Sequence, residues 1–251
     1  LTKNLKHNDP SDFDIHQAGL AWADNQNRRV KPLFADLLKS VGSLEGIERV
    51  RFISPHPKDL TSEIVEAMSA SESVCEHLHL PLQSGSDSIL SAMHRGYTGE
   101  RFLEKAREAR KGIEDLSLTT DIIVGFPGET ENDFMDTLEV VAEAAFDSAY
   151  TFIFSQRPGT AAAEMTSEFV DHDIAVKRYE TLRKVVNRSA LLKHKDRIGR
   201  IEEVLVEGKS KKGTDFVTAR TRQNKVIHLE TNESLKPGTF AQVEVKDATY
   251  N

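Results

Sequence analysis

Between Glu48 and Phe154 short apolar runs alternate with amphipathic stretches, and this alternation restricts the fold more than any other feature of the chain. Glu48–Ile53, His77–Leu80, Leu118–Val124 and Tyr150–Phe154 are short runs bounded by turn residues and read as strands. Helices are predicted over Pro32–Leu44, Ser62–Ala70, Ser86–Met93 and Gly99–Lys111, and after Thr130, which with Asp133 makes a capping-box pattern ahead of Phe134, Leu138 and Val141. Strands separated by helices pair in parallel through right-handed crossovers, so this part is α/β, with its site expected at the carboxyl ends of the strands.

A long basic and apolar helix near Ile174–His194 ends the alternation, and Gly199 is placed to stop it. Beyond it Ile201–Val206, Phe216–Ala219, Val226–Leu229 and Thr239–Val245 form a small all-β pattern punctuated by Gly208, Gly213, Asn224, Asn232 and Pro237-Gly238. The organisation expected is a polar loop over 1–31, a parallel α/β domain over 32–197 and a small β-barrel over 198–251. No apolar run approaches the roughly 20 residues that span a bilayer, and Leu1–Pro10 lacks the apolar core of a secretory leader, which points to the cytoplasm. One cysteine, Cys75, excludes a disulfide scaffold and a multi-cysteine metal site within the chain.

Three segments carry candidate chemistry. Pro81-Leu82-Gln83-Ser84-Gly85-Ser86-Asp87 follows a strand, and Gln83 and Ser84 offer donors and acceptors to a polar cofactor; equally, it is an ordinary turn in which Ser84 or Ser86 caps a helix. In Thr120-Asp121-Ile122-Ile123-Val124-Gly125-Phe126-Pro127-Gly128-Glu129, Gly125 and Gly128 would let backbone lie against a flat group, and a valine at Gly125 is expected to block such a ligand while leaving the fold intact. Asp121 is costly to bury alone, so it either binds a ligand or is paired. In Ser155-Gln156-Arg157-Pro158-Gly159-Thr160, Arg157 could grip a carboxylate or phosphate, or stand solvated. His77 and His79 share a strand face but have no third ligand at suitable spacing, which favours packed histidines over a metal site.

These runs, in this order and with Ser54-Pro55-His56-Pro57 before them, resemble radical S-adenosylmethionine methylthiotransferases of the MiaB type over about residues 33–247. The resemblance implies a partial TIM-like radical SAM barrel followed by an OB-like TRAM barrel. It also implies S-adenosylmethionine held near Gln83, Ser84, Asp121, Gly125 and Arg157, and 4Fe–4S clusters whose ligands are not in this chain. The implied reaction is methylthiolation of isopentenyl-adenosine beside the tRNA anticodon by a longer, monomeric enzyme, with no membrane partner and with catalytic residues unknown. The Ser-Pro-His-Pro and Gln-Ser-Gly-Ser-Asp runs resemble the tRNA-modifying branch more than the ribosomal-protein branch. A non-catalytic RNA-binding remnant, or an unrelated enzyme using Asp121, Glu129 and Arg157, are the rivals. Between Leu205 and Val226 the cations Lys209, Lys211, Lys212, Arg220, Arg222 and Lys225 face only Glu207 and Asp215, within a chain of net charge −7. Lys211, Lys212, Arg220 and Arg222 are therefore the expected phosphate contacts, and the tail is expected to bind RNA on its own.

Overall fold

The computed structural model describes residues 34–210, 216–230 and 235–250. Strands β1 (His77–His79), β2 (Ser117–Val124) and β3 (Ser148–Ile153) pair in parallel in that order, with His79 opposite Thr119 and Asp121 opposite Tyr150. Helices α1 (Phe34–Gly42) and α2 (Ser62–Ala70) precede the sheet, α3 (Asp87–Ala92) and α4 (Gly99–Gly112) connect β1 to β2, and α5 (Glu131–Ala144) connects β2 to β3. Thr130 and Asp133 close the predicted capping box of α5. Asp133 also accepts from Ser86 at 2.6 Å and from Ser88, tying the loop after β1 to that helix start.

The predicted strand at Glu48–Ile53 is reduced to a single bridge. Val50 N–H donates to Ser73 O at 2.7 Å and Val50 O accepts from Cys75 at 3.0 Å, and no ladder extends from that pair. The flanking Arg49 and Arg51 instead send their guanidinium groups to carbonyls of the second sheet.

After a short α6 (Ala161–Glu164), helix α7 (His172–Lys195) is capped by Asp171 and packs on β3. It leads into β4 (Ile201–Lys209), β5 (Phe216–Thr221), β6 (Val226–Glu230) and β7 (Phe240–Glu244), an antiparallel sheet of order β6-β5-β4-β7 that curls into a half-barrel. A bulge between Val206 and Gly208 bends β4, and Val204, Val206, Ala219 and Val243 form the core inside the curve. Residues from Ala35 onward make one compact unit, so both sheets belong to it.

Candidate functional site

Parallel sheets usually bury both faces; in this one His77 and His79 on one face are buried beside an exposed Tyr150, and the other face is buried throughout β1 and β2. Leu78, Leu118, Thr120 and Ile122 are fully buried there. The opposite face presents His77, His79, Thr119, Asp121 and Tyr150 to a cleft of about 1050 Å³, lined also by α7 and by the second sheet. Tyr150 is 65 % exposed and its ring leans on that of His79 at 6.1 Å.

A hydrogen-bonded chain runs along this face. His79 Nε2 lies 3.2 Å from Asp121 Oδ2, His79 Nδ1 3.0 Å from Thr119 Oγ1, and His77 Nε2 3.1 Å from the same hydroxyl. His77 Nδ1 is buried and has no hydrogen-bond partner among the described residues. Burial, aided by Arg51, pushes the His77 pKa down to about 4, which keeps the ring neutral.

Gln83 sits at the carboxyl end of β1 with φ +67°, a left-handed conformation unusual for a residue with a side chain. Two bonds hold it there: its N–H donates to Asp121 O at 2.8 Å, and its carbonyl accepts from Ile123 at 2.9 Å. The loop that follows is pinned from several sides. Leu82 N–H donates to Thr120 Oγ1, the Tyr97 hydroxyl donates to the Pro81 and Leu82 carbonyls, and Gly85 N–H donates to Thr137 Oγ1. Burial pushes the Tyr97 hydroxyl up to about 12. Ser84 turns away from the cleft, its hydroxyl 3.2 Å from Thr137 Oγ1 and accepting from Ser86 N–H; Ser86 caps α3.

Gly125 has φ +72°, and a Cβ built on it would lie 2.9 Å from Ala175 Cβ of α7, so the turn is packed against protein. Its N–H donates to Glu129 Oε2 at 3.1 Å, and Glu129 is in turn gripped by Arg178 of α7, 2.7 Å from Oε1. Burial raises the Glu129 carboxyl above its usual range, with the Gly125 N–H and Arg178 pulling the other way. Gln83 and Asp121 are thus joined through their backbones, while Gly125 follows the end of β2. Arg157 stands exposed on the turn after β3, with no side-chain partner among the described residues. Nothing in the sequence linked Arg178 or Tyr97 to these turns.

The basic tail is drawn largely inward. Arg222 grips Glu76 through Nε and Nη2 at 2.7 to 3.1 Å, Lys225 reaches Asp147 at 2.7 Å, and Arg220 pairs with Glu207 at 2.7 Å. In the other direction Arg51 donates to Thr221 and Arg222 carbonyls, and Arg197 donates to Asp115, Glu202 and Gln223. Burial raises the Asp147 carboxyl, but Lys225 and Lys193 outweigh it and hold the group below its usual range. Lys211 and Lys212 lie outside the described residues.

A parallel α/β sheet with a polar face, joined to a curled antiparallel sheet, matches what comparison of the sequence with known families finds: the Radical SAM superfamily over residues 25–141 and the TRAM domain over residues 195–251. The chain is a radical SAM protein with a TRAM domain. It is similar to the tRNA-2-methylthio-N(6)-dimethylallyladenosine synthases of Thermoanaerobacter sp. (strain X514), 49 % identical over 85 % of this chain and 45 % of that protein, and of Carboxydothermus hydrogenoformans, 46 % identical over 86 % and 49 %. The chain therefore spans about half the length of these curated relatives. Coproporphyrinogen III oxidase from Escherichia coli, a radical SAM enzyme, superposes with a TM-score of 0.48 at 15 % identity, over 68 % of this chain and 46 % of that one.

S-adenosylmethionine and a 4Fe–4S cluster are the cofactors that these matches imply. The residues of this chain do not fit the cluster: a cubane takes several thiolates, and Cys75 is the single cysteine, buried, with burial pushing its thiol pKa up. They do fit S-adenosylmethionine. The partly exposed Asp121 carboxylate can accept from ammonium or ribose hydroxyls, and the buried, unpartnered Nδ1 of His77 lies on the same face. No helix among the described residues is long and apolar enough to cross a membrane.

Proposed function

We propose that this chain is the later barrel wall and RNA-binding part of a tRNA methylthiotransferase that acts on isopentenyl-adenosine beside the anticodon, as a monomer in the cytoplasm. The observation that carries the reading is the polar face of β1–β3, with Asp121 on it and the left-handed Gln83 beyond the end of β1, in a chain close in sequence to synthases named for that product. Those names favour tRNA over a ribosomal protein as substrate. We divide the chain at residue 198, with the catalytic wall over 32–197 and the RNA-binding sheet over 198–251.

S-adenosylmethionine, when bound, supplies the radical initiator and the methyl group. Asp121 and Gln83 orient its polar groups, Arg157 approaches from the turn after β3, and the Gly125 turn closes the wall behind them. Ser84 acts indirectly, by locking the Gln83 loop to α5. Lys211, Lys212 and Arg220 meet RNA phosphates, while Arg222 holds the sheet in place from behind.

The test is a chimera in which the upstream half of the Thermoanaerobacter relative is fused ahead of residue 34 and expressed in a strain lacking its own methylthiotransferase. Mass spectrometry of tRNA nucleosides should show the methylthio product with the chimera and lose it with Asp121→Asn. A soluble chimera that binds S-adenosylmethionine yet leaves tRNA unmodified would overturn the reading.

A further inference from the structure

Resting on the reading above, that RNA is the partner, we infer that the outer face of α7 is a second contact for the RNA backbone, separate from the TRAM sheet. The helix is 24 residues long, and its buried side is Ala175, Arg178, Leu182, Val186 and Ala190. At 3.6 residues per turn, Lys177, Lys184, Arg188 and Lys195 fall within about 20° of a single line on the side away from that core, over about 27 Å. All four are exposed.

The other cations of α7 are engaged. Arg178 holds Glu129, Lys193 lies 3.6 Å from Asp147, and Arg183 sits over the Tyr179 ring at 5.6 Å. No carboxylate lies within ion-pair distance of the four collinear cations among the described residues. Helix α4 differs: Arg101 pairs with Glu104, Lys105 with Glu108, and Arg107 with Glu100 and Glu143. The acidic residues of α7 are Asp173 and Glu180, on the flank of the stripe, each four residues ahead of one of its lysines, Lys177 and Lys184. Acid–lysine pairs at i,i+4 ordinarily close on a solvated helix face, and here neither is within ion-pair distance. Four collinear cations without a salt bridge, on a chain of net charge −7, are complementary to a polyanion.

The stripe also leads in sequence into the second sheet. Lys195 is the first residue of the TRAM match, and β4 begins at Ile201. The helix end is fixed by Arg197, which donates to Asp115, Glu202 and Gln223. A polyanion lying on the sheet can thus run onto α7 with no loss of helix mobility, which makes each contact cost little ordering entropy. The phosphodiester backbone of the substrate RNA, outside the loop that is modified, is the occupant that this geometry fits.

The experiment uses the whole chain and an unmodified tRNA, titrated over a series of potassium chloride concentrations. K177Q/K184Q/R188Q/K195Q should flatten the slope of log K against log salt by roughly 3, since each lost phosphate contact removes about 0.7 to 0.9. The half-sets K177Q/K184Q and R188Q/K195Q should each give about half of that, which keeps the test open should the quadruple variant fold poorly. K39Q/K58Q/K111Q removes exposed lysines elsewhere and should leave the slope unchanged. Equal slopes for parent and both half-sets, or an equal loss per charge in the K39Q/K58Q/K111Q control, would overturn the inference while leaving the function intact. Absence of tRNA binding by the parent chain would instead defeat the RNA reading itself.

Discussion

Arg178 and Glu129 stand 49 residues apart in the chain and meet at 2.7 Å, both almost wholly buried, with the same guanidinium also donating to the Glu129 carbonyl. Through Glu129 Oε2 this pair reaches the Gly125 N–H, so the turn at the end of β2 is held by the helix that leads to the second sheet. Removing one member strands the other. Arg178→Ala should cost about 3 to 5 kcal/mol in urea denaturation, while Arg178→Met with Glu129→Gln should cost much less, because no uncompensated buried charge remains. Equal losses for the single and the double variant would show that the pair is not the cause.

Gly125→Val is expected to destabilise the protein rather than act on a ligand alone. The sequence by itself suggests a substitution that leaves the fold intact, but φ is +72° and the new Cβ would meet Ala175 Cβ at 2.9 Å. A fall of about 2 kcal/mol or more is anticipated from strain and overpacking together. Gly125→Ala should show most of it, and Gly125→Ala with Ala175→Gly should recover the part due to contact. A melting temperature unchanged in Gly125→Ala would contradict this account.

His77 should make stability depend on pH in a defined window. Its pKa falls from 6.5 to about 4 on folding, so between those values the unfolded chain binds the extra proton and stability rises with pH. The contribution is complete above 6.5, is lost on acidification towards 4, and amounts to about 3 kcal/mol. His77→Gln should flatten the stability profile between pH 4 and 6.5, though not abolish the slope, because His56 and His194 are lowered in the same direction. The window is distinct from that of Asp147, whose lowered pKa acts below the ordinary carboxylate value. An unchanged profile in His77→Gln would show that the imidazole is not the titrating group.

Arg222 separates fastening from RNA contact. Its bidentate grip on Glu76 and its bond to the Val74 carbonyl join the second sheet to the segment before β1. Arg222→Gln should lower stability by about 1.5 to 3 kcal/mol, the range for hydrogen bonds to charged groups, and a double-mutant cycle with Glu76→Gln should show positive coupling. The salt slope of tRNA binding should stay that of the parent. A normal melting curve with a flattened slope would assign Arg222 to RNA instead.

The sequence by itself determined which stretches are strands and helices, because apolar periodicity and turn residues are local: α2, α4, the Thr130–Asp133 cap of α5 and the four tail strands all lie where the pattern predicts them. It also located the Gln83 and Gly125 turns, since small and polar residues after a parallel strand can be recognised within a few positions. Only the tertiary structure decided what those side chains touch. Ser84 faces α5 rather than the cleft because Thr137, 53 residues on, supplies its partner, and Arg222 closes on Glu76 across 146 residues. The strand expected at Glu48–Ile53 shrinks to one bridge for a like reason: pairing depends on a neighbour whose register no local pattern records. Periodicity fixes which face of an element is apolar, but the partner of a charged or hydroxyl group is set by chain segments far away, and burial then gives that choice its energy.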